Sequence, residues 1–250
     1  MAVRALPRRP AAEGTALRER LFCFPYAGAG AGVFRDWPGR LPPHIEVCVA
    51  CLPGRDARID EPPLSSMARL AQSLAQDMID WLALPYSLFG HSMGAFVAFE
   101  VAHALSRLGR PPAHLFVSAQ RGPRLPYAGQ PIFALPDRDF LAGVLARYDR
   151  IPKQVLEQKD LMAVLLRTLR ADFTLSEDYR YRAATPLACP ITAFGGSEDS
   201  EVTIEELEAW SAETAGGFKL HMLAGDHFFL QGSQAELLSL IRIASGFRDG

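Results

Sequence analysis

Tyr86-Ser87-Leu88-Phe89-Gly90-His91-Ser92-Met93-Gly94 joins an apolar run to a G-x-S-x-G, and a helical pattern begins directly after it. A short apolar run followed by a segment of helical periodicity reads as strand, sharp turn and helix. In that setting the serine sits on a tight, strained turn, and the neighbouring glycines leave it room. Its hydroxyl then stands at a helix N-terminus, where backbone N–H groups and the helix dipole favour negative charge. The five-residue pattern alone is common. Strand before and helix after turn it into a nucleophile elbow, with Ser92 as the nucleophile.

Further apolar runs lie at residues 21–26, 47–52, 115–118, 191–194 and 220–223. Most are continuous rather than alternating, as strands buried on both faces of a parallel sheet are. Helical patterns lie between them. Met67, Leu70, Leu74, Met78 and Trp81 recur every three or four positions after a capping Ser65 or Ser66. Another pattern runs from about 93 to 108 and stops at Gly109, with Pro111 and Pro112 beyond. The alternation predicts a doubly wound, mostly parallel sheet flanked by helices, and the nucleophile elbow within it points to an α/β-hydrolase fold. Residues 19–250 are expected to form one such domain. The Arg- and Pro-rich residues 1–18 are expected as a disordered, loosely attached tail.

The long interval between 118 and 191 breaks the rhythm. It carries helical patterns at Asp137–Tyr148 and 159–181 and no strand. Leu161, Met162, Val164, Leu165, Leu166 and Leu169 make the second pattern apolar around more than one face. A helix buried on several sides fits this. So does a lid helix that packs down on the sheet and lines an acyl pocket. Its late insertion, near the catalytic edge, favours a helical lid over about 125–185.

A serine hydroxyl needs a base. Of six histidines, only His227 comes late, on a loop after a strand, in Gly225-Asp226-His227-Phe228-Phe229. That matches the Ser…Asp…His chain order of this fold. His44, His103, His114 and His221 read as surface or packed residues, and His91 lies too close to Ser92 along the backbone to turn in as its base. The acid belongs on the loop after the strand at 191–194, which reads Gly195-Gly196-Ser197-Glu198-Asp199-Ser200. Asp199 is the choice and Glu198 the rival. The loop one strand earlier, Ser118-Ala119-Gln120-Arg121-Gly122, has no carboxylate. An oxyanion hole needs two backbone donors. Met93 N–H follows the nucleophile, and Ala27 N–H comes from the loop Phe24-Pro25-Tyr26-Ala27-Gly28. Small residues from Ala27 to Gly32 would let substrate approach that backbone closely. The same loop starts like a dinucleotide fingerprint, but Val33 takes the place of the third glycine, and no Gly-Lys-Ser/Thr follows.

Composition excludes little and constrains something. A net charge of -2 with no basic stripe argues against a nucleic-acid face. Cys48 and Cys51 form a C-x-x-C without the second pair a zinc site needs, so Cys23, Cys48, Cys51 and Cys189 read as reduced thiols in apolar strands. No apolar signal region follows the first arginines and no stretch approaches membrane-spanning length, which predicts a cytoplasmic protein.

Four segments together carry a family resemblance. They are Phe24-Pro25-Tyr26-Ala27-Gly28, Leu52-Pro53-Gly54-Arg55, Gly90-His91-Ser92-Met93-Gly94 with Phe99-Glu100, and Gly225-Asp226-His227-Phe228-Phe229-Leu230. The chain resembles the type II thioesterases that accompany polyketide synthases and nonribosomal peptide synthetases. Leu169-Arg170-Ala171-Asp172-Phe173 and Tyr179-Arg180-Tyr181 are similar to the family's lid. The resemblance covers about 21–240. It implies hydrolysis of acyl thioesters on the phosphopantetheine arm of acyl or peptidyl carrier proteins, which clears stalled groups. It implies no cofactor and no metal.

A chain that starts at Met1 and ends soon after its last helical pattern is expected to be free-standing and monomeric. Two segments depart from the family: Ser200 follows the acid where Pro is frequent, and Tyr148-Asp149-Arg150-Ile151-Pro152 replaces a Gly-Gly-Thr-Pro. The alternatives are a product-releasing thioesterase, an acyl-CoA or ester hydrolase, and an idle hydrolase that only binds carrier proteins.

Overall fold

The chain is described by a computed structural model over residues 2–6, 15–148 and 158–244. Among these residues seven strands form one sheet: β1 (Val3–Ala5), β2 (Glu19–Phe24), β3 (Ile45–Ala50), β4 (Tyr86–His91), β5 (His114–Ser118), β6 (Ile191–Gly196) and β7 (Phe218–Leu223). Their spatial order is β1-β3-β2-β4-β5-β6-β7. Every neighbouring pair is parallel except β1 with β3. The helices are α1 (Met67–Met78), α2 (Met93–Arg107), α3 (Asp137–Tyr148), α4 (Lys159–Glu177), α5 (Ile204–Glu208), α6 (Phe229–Gly232) and α7 (Gln234–Ala244).

Two apolar layers explain why the strand sequences are continuous. Phe22, Phe24, Leu88 and Val117 point to one face, where α1 and α2 cover them. Leu21, Cys23, Phe89 and Phe116 point to the other, under Phe34, Trp37 and Leu237, Leu238 and Ile241 of α7. With both faces dry, alternation disappears. In α1 the buried residues are Leu70, Ala71, Leu74, Ala75 and Met78, one stripe at helical spacing. Each large one contributes about 1.5–3 kcal/mol by leaving water. Ser66 stands at the N-cap, but its side chain makes no capping bond. The far end of α2 closes as its sequence predicts. Gly109 adopts φ +71°, and its N–H and that of Arg110 cap the carbonyls of Ser106 and Leu105.

At residues 2–6 the structure corrects the reading of 1–18 as a disordered, loosely attached tail. Val3–Ala5 pair with β3 through the register Val3 to Ala50 and Ala5 to Cys48, and Cys51 N–H donates to the Ala2 carbonyl at 2.7 Å. Ala2, Val3 and Leu6 are buried. The segment covers the otherwise open edge of β3, which an exposed ladder of backbone groups makes favourable. Residues 7–14 of that segment lie outside the described residues, as does the lid departure at 149–152. All four cysteines are buried, and burial pushes the Cys48 thiol up to about 12.

The chain builds β2 and β3 outward in one direction, then passes back to β4 and continues the other way. The order reverses between β2 and β4. In open α/β sheets the crevice at the carboxyl ends of the strands flanking such a reversal is where ligands bind. The loops after β2 and β4 meet there.

Candidate active site

β4 leads into α2 with no intervening loop, so Ser92 has to turn the chain alone. It takes φ +53° and ψ −125°, a conformation that non-glycine residues avoid. Such strain persists only where the surroundings over-determine it. Here Ser92 N–H donates to the Ser118 carbonyl at 2.7 Å, and the Ser92 carbonyl accepts from Ala95 N–H at 2.8 Å. The glycines on either side are steric requirements. A Cβ on Gly90 would strike the Gly94 carbonyl, and one on Gly94 would strike the Phe24 carbonyl.

Three sequence-predicted residues come together in a line. Ser92 Oγ lies 3.0 Å from His227 Nε2, and His227 Nδ1 lies 2.9 Å from Asp199 Oδ2. A carboxylate only accepts, so Nδ1–H donates to Asp199 and Nε2 is left to accept the serine proton. The second Asp199 oxygen accepts from Glu201 N–H at 2.8 Å, an Asx-type turn that fixes the carboxylate. The loops carrying Asp199 and His227 pack backbone to backbone. Glu198 N–H donates to the Gly225 carbonyl at 2.9 Å, and a Cβ on Gly196 would meet the carbonyls of Gly225 and Asp226. The rival Glu198 turns its side chain to solvent, whereas the Asp199 carboxylate is 1% exposed.

His91 has a role that the sequence reading did not assign. It is fully buried, with Nε2 2.9 Å from the His227 carbonyl and Nδ1 2.8 Å from Ser118 Oγ. The carbonyl requires Nε2–H as donor, so Nδ1 accepts from the Ser118 hydroxyl. Burial, reinforced by the neighbouring His227, holds His91 well below the usual imidazole range, and it stays neutral. It braces the backbone of the residue that faces Ser92. Tyr26, His91 and Phe228 pack edge to face around this brace, and the Tyr148 ring lies 5.3 Å from the His227 ring. The signal available in the sequence was a histidine at the buried end of a strand, which must find partners.

Met93 is the first residue of α2 and Ala27 lies on the loop after β2, and both line the cavity beside Ser92. Among the described residues, neither Met93 N–H nor Ala27 N–H donates to a protein acceptor. The glycines of that loop also make room for neighbouring side chains. Gly28, at φ +77°, has the Leu169 side chain 2.6 Å from where its Cβ would be, and Gly30 lies against the Asp56 carboxylate. Their small size admits α4 and Asp56, while Ala27, Gly28 and Ala29 also line the cavity.

Ser92, Met93, Ala27 and His227 open onto a cavity of about 570 Å³. Val164, Leu165, Leu169 and Phe173 of α4 form one wall, and Val33, Ile59, Val144 and Phe228 complete an apolar lining. A polar end carries Tyr127, Ser176 and the ion pair of Arg147 with Glu177, 2.6 Å apart. Both readings of the second lid helix therefore hold in part. Its cavity side walls the space over Ser92, as a lid would, and Leu175, near its end, packs into the main core. Among the described residues no cluster of three metal-ligating side chains occurs, and no helix is long and apolar enough to cross a membrane.

A family model described as thioesterase domain matches residues 19–244. Linear gramicidin dehydrogenase LgrE of Brevibacillus parabrevis is 43% identical over 225 residues, covering 88% of this chain and 85% of that protein. Gramicidin S biosynthesis protein GrsT of Aneurinibacillus migulanus is 40% identical over 228 residues, covering 91% and 89%. The solved structure of the type II thioesterase BorB from the borrelidin biosynthetic cluster superposes with a TM-score of 0.83 at 33% identity. It covers 97% of this chain and 95% of that one.

Proposed function

The chain belongs to the thioesterase domain family, as a type II thioesterase of the kind found in nonribosomal peptide and polyketide pathways, and from that premise we propose that it hydrolyses acyl groups from carrier-protein phosphopantetheine arms through Ser92, His227 and Asp199. The observation that carries this reading is the hydrogen-bonded line Ser92–His227–Asp199, at 3.0 and 2.9 Å, opening onto a lid-covered apolar cavity.

The chemistry follows from the geometry. His227 Nε2 takes the Ser92 proton as Oγ attacks the thioester carbonyl. The oxyanion forms between Met93 N–H at the start of α2 and Ala27 N–H on the loop after β2, donors of a type worth about 3–4 kcal/mol each. The thiol of the arm leaves with the proton held by His227. Water, deprotonated by the same imidazole, then cleaves the acyl-enzyme. Asp199 keeps the imidazole in the tautomer that accepts from serine.

The dehydrogenase in the name of LgrE has no counterpart in this chain's own residues. Val33 stands where a dinucleotide fingerprint needs glycine, and Leu169 and Asp56 fill the space beside Gly28 and Gly30.

The test compares hydrolysis of one short acyl group on a carrier protein and on coenzyme A, followed by intact-protein mass spectrometry and thiol release. The reading expects a higher kcat/KM on the carrier, since the arm is common to both and the difference must come from contact between proteins. Equal kcat/KM values would remove the carrier from the account.

A further inference from the structure

The loop that carries the Ala27 N–H is not held by the sheet alone. Tyr26, Ala27, Gly28 and Ala29 form a turn closed by Ala29 N–H to the Tyr26 carbonyl at 3.0 Å, and φ of +77° at Gly28 makes it type II. Glycine at that corner also tolerates other turn conformations, so the turn is soft unless something fixes it. The fixing group comes from the lid. Asp172, in the middle of α4 and 1% exposed, accepts from Gly28 N–H at 2.7 Å with Oδ2. Its other oxygen accepts from the Arg55 guanidinium at 2.6 Å, and Arg55 in turn donates to the Ala29 carbonyl at 2.9 Å. Both charged side chains are buried, so the carboxylate holds both sides of the turn, directly at Gly28 and through Arg55 at Ala29.

We propose that Asp172 is a positioning residue: it sets the Ala27 N–H through Gly28, so that the oxyanion hole is complete only while α4 is seated. The proposal rests on the reading of Ser92 and the two donors given above. Its consequence is a coupling between admission and chemistry. An α4 that lifts to admit an acyl arm takes Asp172 away from Gly28 and Arg55 and leaves the turn free. Reseating α4 over the substrate restores the donor. A buried ion pair adds little net stability compared with apolar packing, which suits a contact kept for geometry.

The experiment uses a small aryl ester, which needs no carrier protein, and two inhibitors. An alkyl trifluoromethyl ketone lets Ser92 Oγ add to its carbonyl carbon. The serine proton passes to His227, and the carbonyl electron pair becomes a hemiketal oxyanion. The matching secondary alcohol fills the pocket without forming an oxyanion. Asp172→Asn keeps the size of the side chain. The pair Arg55→Met with Asp172→Leu replaces both charges by apolar groups, a change that commonly preserves folding.

Removal of a complete oxyanion donor costs about 10²–10³ in kcat. A misplaced donor should therefore lower kcat roughly 10–100-fold and weaken the trifluoromethyl ketone by a similar factor. KM, the alcohol's affinity and the melting temperature of the double variant should change little. Unchanged kcat and ketone affinity in a folded variant, or equal loss of ketone and alcohol, would overturn the proposal. Ser92→Ala is run alongside. Turnover that survives it would indict the nucleophile assignment, a failure distinct from that of Asp172.

Discussion

Ser92 concentrates the cost and the purpose of this site in one residue. A non-glycine residue at φ +53° is held there at a cost of about 1–3 kcal/mol. The turn places Ser92 and Met93 side by side at the cavity wall. The imidazole is fixed from two directions, by Asp199 at Nδ1 and by His91 at its own backbone carbonyl. Asp199→Asn should cut kcat by orders of magnitude, because an amide does not hold the imidazole in the accepting tautomer. Glu198→Gln should leave kcat within about twofold, as expected of a solvent-facing side chain. Steady-state kinetics on the two variants decides the register, and the reverse pattern would move the acid by one residue. That Ser92, Asp199 and His227 meet was legible because chain order and loop position single them out. His91 and Asp172 were not. Their work depends on partners 136 and 144 residues away, which no local pattern encodes.

At the scale of elements, α4 does two jobs that its sequence mixes. Leu169 and Phe173 join Ile132, Phe140 and Val144 in a separate lid cluster, while Leu175 belongs to the main core. A pattern apolar on more than one face records both, which is why periodicity alone left the helix undecided. Leu165 is only partly buried and lines the cavity, so it is free to report on the substrate. Leu165→Ala and Leu165→Phe should shift the preferred acyl chain length in opposite directions while turnover of a small activated ester changes by less than about threefold, since a methylene or two in an apolar pocket is worth only about 1–3 kcal/mol. Competition between acyl thioesters of different length reads this out. An unchanged profile in both variants would make α4 a core helix and nothing more. The strand missed from sequence was β1. Three residues among arginines and a proline carry no periodicity, and only the open edge of β3 gives Val3–Ala5 a place to pair.

Across the whole molecule, the position of the site follows from the order in which the strands are laid down. The reversal between β2 and β4 puts the loop of Ala27 beside the elbow of Ser92, and the successive additions of β5, β6 and β7 bring Asp199 and His227 in from one side. The alternation of apolar runs with helical patterns made this arrangement readable. The lid, inserted between β5 and β6, then roofs the one crevice where all four meet. The central claim is that Ser92 carries the acyl group between carrier and water. The direct measurement is intact-protein and peptide mass spectrometry of the enzyme after brief exposure to an acyl carrier protein or to a serine-directed phosphonate. The account predicts one adduct, on Ser92, that Ser92→Ala abolishes while its melting temperature stays near that of the parent. An adduct on another residue, or hydrolysis that persists in Ser92→Ala, would contradict it.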